Sequence, residues 1–123
     1  MKRVRRQDTA PEVAVRRYLH AAGLRFRLHS RDLPGTPDIV LPKYKTVVFV
    51  HGCFWHGHDC KRGARAPKGN AAYWRAKIAR NRTRDAAVLK TLRAGGWRTL
   101  VIWECETRDA ARLAARLDRF LAA

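Results

Sequence analysis

The stretch His51-Gly52-Cys53-Phe54-Trp55-His56-Gly57-His58-Asp59-Cys60 constrains this chain more than any other. Cys53, His58 and Cys60 lie within eight residues, directly after the β-branched run Thr46 to Val50, and Cys105 closely follows a second strand-like run, Trp97 to Trp103. Thiolate and imidazole suit zinc, and four such ligands in a closed tetrahedron make a structural site. Three ligands on one loop and a fourth beyond a distant strand fasten that loop to the end of a sheet. The loop is poor in apolar residues, so burial alone does not order it, and a metal supplies the missing stability. The competing reading is a set of buried thiols beside a surface histidine. Three of the five histidines and two of the three cysteines fall within ten residues, which favours the metal. A catalytic zinc needs an open coordination position and a nearby carboxylate, for which the loop offers only Asp59. The His-x-Glu and Pro-Cys-x-x-Cys pattern of zinc nucleobase deaminases does not occur. The zinc is therefore read as structural.

Net charge points to the partner. Twenty-seven Lys and Arg against ten Asp and Glu give +17, spread along the chain and not gathered in one tail. Such an excess repels itself in a folded protein and fits a polyanion, here nucleic acid. Arg outnumbers Lys by 20 to 7; its fork suits phosphate, although genomic base composition also raises Arg. Hydrophobic residues make up 46% of 123, enough for a folded core, and residues 1–123 are read as a single domain. No run approaches the roughly 18 to 20 apolar residues of a membrane span, and the basic start Met1 to Arg6 lacks the apolar core of a secretion signal. A cytoplasmic location and no membrane partner are the expectation. An odd number of cysteines argues against a disulfide framework.

The remaining elements follow from local signals. Thr9 caps a helix that runs from Pro11 and Glu12 to about Ala22, with Val15, Leu19 and Ala22 on its apolar face and Gly23 as its stop. Leu24 to Leu28 is read as a short strand, and Leu33-Pro34-Gly35-Thr36-Pro37 as a turn. Asp38 to Leu41 and Thr46 to Val50 form a hairpin across Pro42 to Lys45. A long helix spans about Ala71 to Arg93, using Trp74, Ile78, Val88 and Leu92, and Gly95-Gly96 ends it. The helical crossover makes the strand Trp97 to Trp103 parallel to an earlier one. A last helix, about Thr107 to Leu121, carries Leu113, Leu117, Phe120 and Leu121, while Trp97 and Trp103 are assigned to the core. The fold class is α/β, a three-layer mixed sheet flanked by helices, with a structural zinc site.

Carboxylates are scarce, which narrows the acids able to hold a hard cation to Glu12, Asp32, Asp38, Asp85 and Glu104. Asp38 opens a strand directly after the rigid Pro-Gly-Thr-Pro turn, a placement that exposes its carboxylate at a sheet end. There a divalent cation neutralises charge and activates water in phosphodiester hydrolysis; the plainer reading is a turn-capping aspartate. His51 and His56, left over from the zinc set, suit general-base work or phosphate contact, or a structural role.

Taken together, Pro34-Gly35-Thr36-Pro37-Asp38, Phe49-Val50-His51-Gly52-Cys53-Phe54-Trp55-His56 with His58 and Cys60, and Trp103-Glu104-Cys105 resemble the very short patch repair (Vsr) endonucleases. The resemblance runs from Asp8-Thr9 and Glu12 through Asn81 and Asp85 to Cys105. It implies a restriction-endonuclease-like core of the PD-(D/E)XK type and a magnesium-dependent nick 5′ of the thymine in a T:G mismatch. It also implies roles. Asp38 and the backbone carbonyl of Val50 hold magnesium, Glu12 sits near the cation's water, and His51 contacts the phosphate or that water. His56 is the general base, oriented by Asp85, and Cys53, His58, Cys60 and Cys105 hold zinc. Phe54 and Trp55 intercalate beside the mismatch, although packing is the ordinary fate of such aromatics. Met1 matches a minor-groove wedge, with Arg5 and Arg6 beside it as DNA contacts. The chain departs from the family at Val50, where many relatives carry threonine, and at Gly57 and Asp59, where some carry histidine. Met1 to Arg6 stand where most relatives carry a longer DNA-clasping segment.

Three functions are weighed. The first is a T:G-specific nickase that starts very short patch repair on double-stranded DNA, with mismatch-repair proteins as partners, acting as a monomer at the nucleoid. The second is a related zinc-containing endonuclease with a different mismatch or site target. The third is a non-catalytic DNA-binding module.

Overall fold

Thr9 starts the first helix as its sequence predicts. Its Oγ1 accepts the Glu12 N–H at 3.4 Å, and α1 runs over Ala10–Ala21 before Gly23, at φ +78°, turns the chain away. Only glycine takes that left-handed conformation without strain. Val15 and Leu19 are buried, whereas Ala22, expected on the apolar face, is the exposed C-cap.

The computed structural model describes residues 9–53 and 71–122. Among them, α1 is followed by β1 (Arg27–Leu28), β2 (Ile39–Leu41), β3 (Thr46–His51), α2 (Ala71–Ala94), β4 (Arg98–Trp103) and α3 (Ala110–Ala122). Short 3-10 segments lie at Pro42–Tyr44 and Glu104–Arg108. The four strands form one sheet in the order β1-β2-β3-β4. The β2–β3 hairpin is antiparallel, with Val40 opposite Val47, and β4 lies parallel to β3 with His51 opposite Trp103. The strand after the long helix is thus parallel, as a crossover requires.

Side-chain alternation sorts the sheet into two faces. Ile39, Leu41, Val48, Leu100 and Ile102 pack against Val15 and Leu19 of α1 and Leu113 and Leu117 of α3. Val40, Val47 and Phe49 pack on the other side with Leu92 of α2. Helices therefore cover both faces, a mixed α/β arrangement that fits a restriction-endonuclease-like fold. Each fully buried Leu or Ile contributes about 1.5 to 3 kcal/mol through removal from water.

Two expectations shift. The last helix starts at Ala110, not near Thr107, because the Thr107 hydroxyl turns back to the Glu104 carbonyl at 2.7 Å and Asp109 caps instead, accepting the Arg112 N–H at 3.1 Å. In α2 only Leu92 is buried; Trp74, Ile78 and Val88 are half-buried, as are Trp97 and Trp103. No helix among the described residues is long and apolar enough to cross a membrane.

Candidate active site

Three elements bring potential ligand side chains to one end of the sheet. Glu12 projects from the first turn of α1 and is 3% exposed. Asp38 immediately precedes β2, after the turn in which Gly35 adopts φ +74°. A Cβ at Gly35 would lie 2.5 Å from Val88 Cγ1, so this turn seats directly against α2 and fixes where Asp38 enters the sheet. Val50 comes from the far end of β3, and its N–H donates to Asp38 Oδ2 at 2.7 Å. In an extended strand a residue's N–H and C=O point to the same side. The Val50 carbonyl accordingly faces the Asp38 side as well.

The third group is His29, which the sequence reading missed. The β1–β2 register sets Leu28 opposite Ile39, which continues to His29 opposite Asp38, and the His29 N–H donates to the Asp38 carbonyl at 3.1 Å. His29 adopts φ +47°, a left-handed conformation costing a non-glycine residue roughly 1 to 2 kcal/mol. Its Nε2 lies 3.2 Å from Glu12 Oε2, which Arg16 also meets at 3.1 Å. Ligand atoms of Glu12, His29 and Asp38 all fall within 4.8 Å of one another.

Burial pushes the Asp38 carboxyl up from 3.8 to about 6; the Val50 N–H opposes the rise, the Glu12 charge adds to it and His29 reduces it. Two carboxylates converging in a partly buried pocket repel each other, and a divalent cation offsets both the repulsion and the lost hydration. The donor set therefore fits a hard cation.

Two cysteines, Cys53 and Cys105, meet at the same end. Because β3 and β4 pair in parallel with His51 opposite Trp103, two further residues on each chain bring Cys53 beside Cys105. The Cys105 N–H donates to Cys53 Sγ at 3.4 Å, and Cys53 is fully buried. Glu104, weighed as a cation ligand, instead accepts the Cys53 N–H at 3.4 Å. His51 is not among the three groups that converge around Asp38. It sits one residue past Val50, 7% exposed, with its ring edge-on to Trp103 at 5.3 Å and tilted against Phe49 at 5.8 Å. Asp85 lies on α2 and is half-buried; Asp32 is exposed. Met1, Arg5, Arg6, Phe54, Trp55, His56, His58 and Cys60 lie outside the described residues.

Sequence comparison decides between the classes such a site allows. A family model for the DNA mismatch endonuclease Vsr matches residues 1–62. A type II nicking enzyme, V.XorIIP, from Xanthomonas oryzae pv. oryzae is 54% identical over 121 residues, covering 98% of this chain and 88% of that protein. This chain belongs to the Vsr family of DNA mismatch endonucleases. Two further relatives bracket it. V.NmeAIP of Neisseria meningitidis, also called a type II nicking enzyme, is 44% identical across 98% of this chain and 86% of its own. The DNA mismatch endonuclease Vsr of Escherichia coli is 39% identical across 92% of this chain and 72% of its own.

Proposed function

We propose that this chain is a magnesium-dependent, strand-specific nickase that hydrolyses the phosphodiester 5′ of the thymine in a T:G mismatch, the first step of very short patch repair. The observation that carries this reading is the convergence of Glu12 and Asp38 within 4.8 Å, with Val50 bonded to Asp38, in a chain of this family. Asp38 and the Val50 carbonyl hold the magnesium, which supplies charge neutralisation at the phosphate and a lowered pKa for water. Glu12 lies at the same cation, beside its water, and Arg16 anchors its carboxylate. His56, oriented by Asp85, takes the proton from the attacking water, and His51 donates to the phosphate.

A second metal has a purely mechanical role. Cys53, His58, Cys60 and Cys105 hold zinc and tie the loop that begins at Gly52 to the β3–β4 end. Phe54 and Trp55, carried on that loop, wedge into the base stack, which opens more easily at a mispaired step. Met1 enters the minor groove, and Arg5 and Arg6 neutralise phosphates as part of the +17 surface charge. The protein acts as a monomer at the nucleoid, handing the nick to mismatch-repair proteins.

One observation favours a second reading, a distinct target context: the relatives at 54% and 44% identity are called type II nicking enzymes. A panel of duplexes carrying each mismatch in varied flanking sequence separates the two. A single magnesium-dependent nick confined to T:G supports the first reading; nicking confined to another mismatch or sequence supports the second. Salt-sensitive binding with no nick under any divalent metal leaves only a DNA-binding module and overturns both.

A further inference from the structure

We propose that His29 supplies a nitrogen ligand to the divalent cation at Glu12 and Asp38, so that the site takes manganese(II) in preference to magnesium. The inference rests on the functional reading above only in needing a cation at Asp38. Its basis is geometric. His29 Nε2 and Glu12 Oε2 are 3.2 Å apart. Two ligands each about 2.1 Å from an octahedral ion, at right angles, stand about 3 Å apart. The observed spacing matches two adjacent ligands of one ion.

The imidazole is held in this place by the backbone. His29 continues the β1–β2 register opposite Asp38, its N–H bonded to the Asp38 carbonyl at 3.1 Å, and its φ of +47° departs from the ordinary strand range. Glu12, buried at 3% exposure, already has Arg16 at 3.1 Å as a cationic partner. The imidazole is therefore not required as the counter-charge of Glu12, and its Nε2 lies where a ligand atom of the same ion would lie. Manganese(II) shares magnesium's affinity for carboxylate oxygen but, as the first of the divalent transition ions, still gains from an imidazole nitrogen where magnesium gains little. An oxygen–nitrogen set consequently separates the two ions in a way an all-carboxylate pair does not. The competing role for His29 is a hydrogen-bond clamp that holds Glu12 without touching the ion.

The two roles differ spectroscopically. The full-length, zinc-loaded protein is titrated with Mn2+, free ion being read by electron paramagnetic resonance and bound ion by its nitrogen-14 modulation; Mg2+ is measured by competition. The variants are His29→Asn and His29→Gly, since both residues tolerate a left-handed backbone, with Asp38→Asn as the control. We expect nitrogen modulation on bound Mn2+ in the wild type and its loss in both His29 variants. We also expect Mn2+ affinity to fall by at least about tenfold while Mg2+ affinity changes by less than about threefold. A wild-type spectrum without nitrogen coupling, or coupling and Mn2+ affinity unchanged in the His29 variants, overturns the proposal. If Asp38→Asn abolishes Mn2+ binding in that case, the cation site stands and only the role of His29 is lost. Mn2+ binding unaffected by Asp38→Asn removes the cation site itself.

Discussion

Replacing Asp38 by asparagine should make the magnesium-free protein more stable while removing its cation site. In the folded state burial raises the Asp38 pKa from 3.8 to about 6, with Glu12 adding to the rise. The folded protein thus binds a proton at Asp38 more tightly than the unfolded chain does, so this side chain's contribution to stability is fully present below about pH 4. It is lost as pH rises through about 6. At roughly 1.4 kcal/mol per pH unit the loss is on the order of 3 kcal/mol at neutral pH. Asparagine mimics the protonated acid: its side-chain oxygen still accepts the Val50 N–H, and it carries no charge to desolvate or to repel Glu12. Urea unfolding of the purified protein in magnesium-free buffer at pH 8, 6 and 4 measures the effect. Asp38→Asn should exceed wild type by about 2 to 3 kcal/mol at pH 8, with the gap closing toward pH 4. Magnesium at a hundred times its dissociation constant should then stabilise wild type by about 2.7 kcal/mol and leave the variant unmoved. A variant less stable than wild type at pH 8, or a gap of the same size at pH 4, refutes the reasoning.

Three further outcomes follow from the same geometry. Gly35→Ala puts a Cβ 2.5 Å from Val88 Cγ1 at a residue with φ +74°, and should cost about 1 to 3 kcal/mol by urea melt. It should also weaken nicking, since the turn sets Asp38. Cys105→Ser should lower bound zinc, read by elemental analysis of the purified protein, and lower the melting temperature; full zinc occupancy would show that the thiol is not a ligand. At limiting magnesium, nicking should fall as pH drops below about 6 and Asp38 takes up a proton, and added magnesium should move that midpoint to lower pH by competing with it. A midpoint indifferent to magnesium would assign the titration to another group.

What could be read before the structure was what local chemistry dictates. Thr9, Glu12 and Gly23 delimit α1 because caps and stops act within a few residues. The hairpin and the parallel strand followed from β-branched runs separated by a turn or by a helix, and their register places Cys53 beside Cys105. His29 escaped because β1 is only two exposed residues long, too short to show alternation, and pairing with β2 alone puts it opposite Asp38. Predicting it required extending an antiparallel register back from Ile39, which no local signal at Leu28 announces. The long helix was legible as a helix, but its buried contact is concentrated at Leu92, since arginines and lysines recur around most of its surface. The start of α3 moved because the Thr107 hydroxyl donates to the Glu104 carbonyl three residues before it, whereas Asp109 accepts the N–H of Arg112 three residues after it and so acts as the cap.

The most direct test of the central claim, that the Glu12–Asp38 pocket is the hydrolytic centre of a mismatch nickase, is single-turnover cleavage of a T:G duplex with magnesium by wild type and Asp38→Asn. Binding of the same duplex is followed in parallel. The account predicts one nick, 5′ of the mismatched thymine, by the wild type, and a loss of at least about a thousandfold in the variant, with affinity for the duplex changed by no more than a few fold. Equal cleavage by Asp38→Asn, or wild-type cleavage of the matched duplex at the same rate, would contradict it.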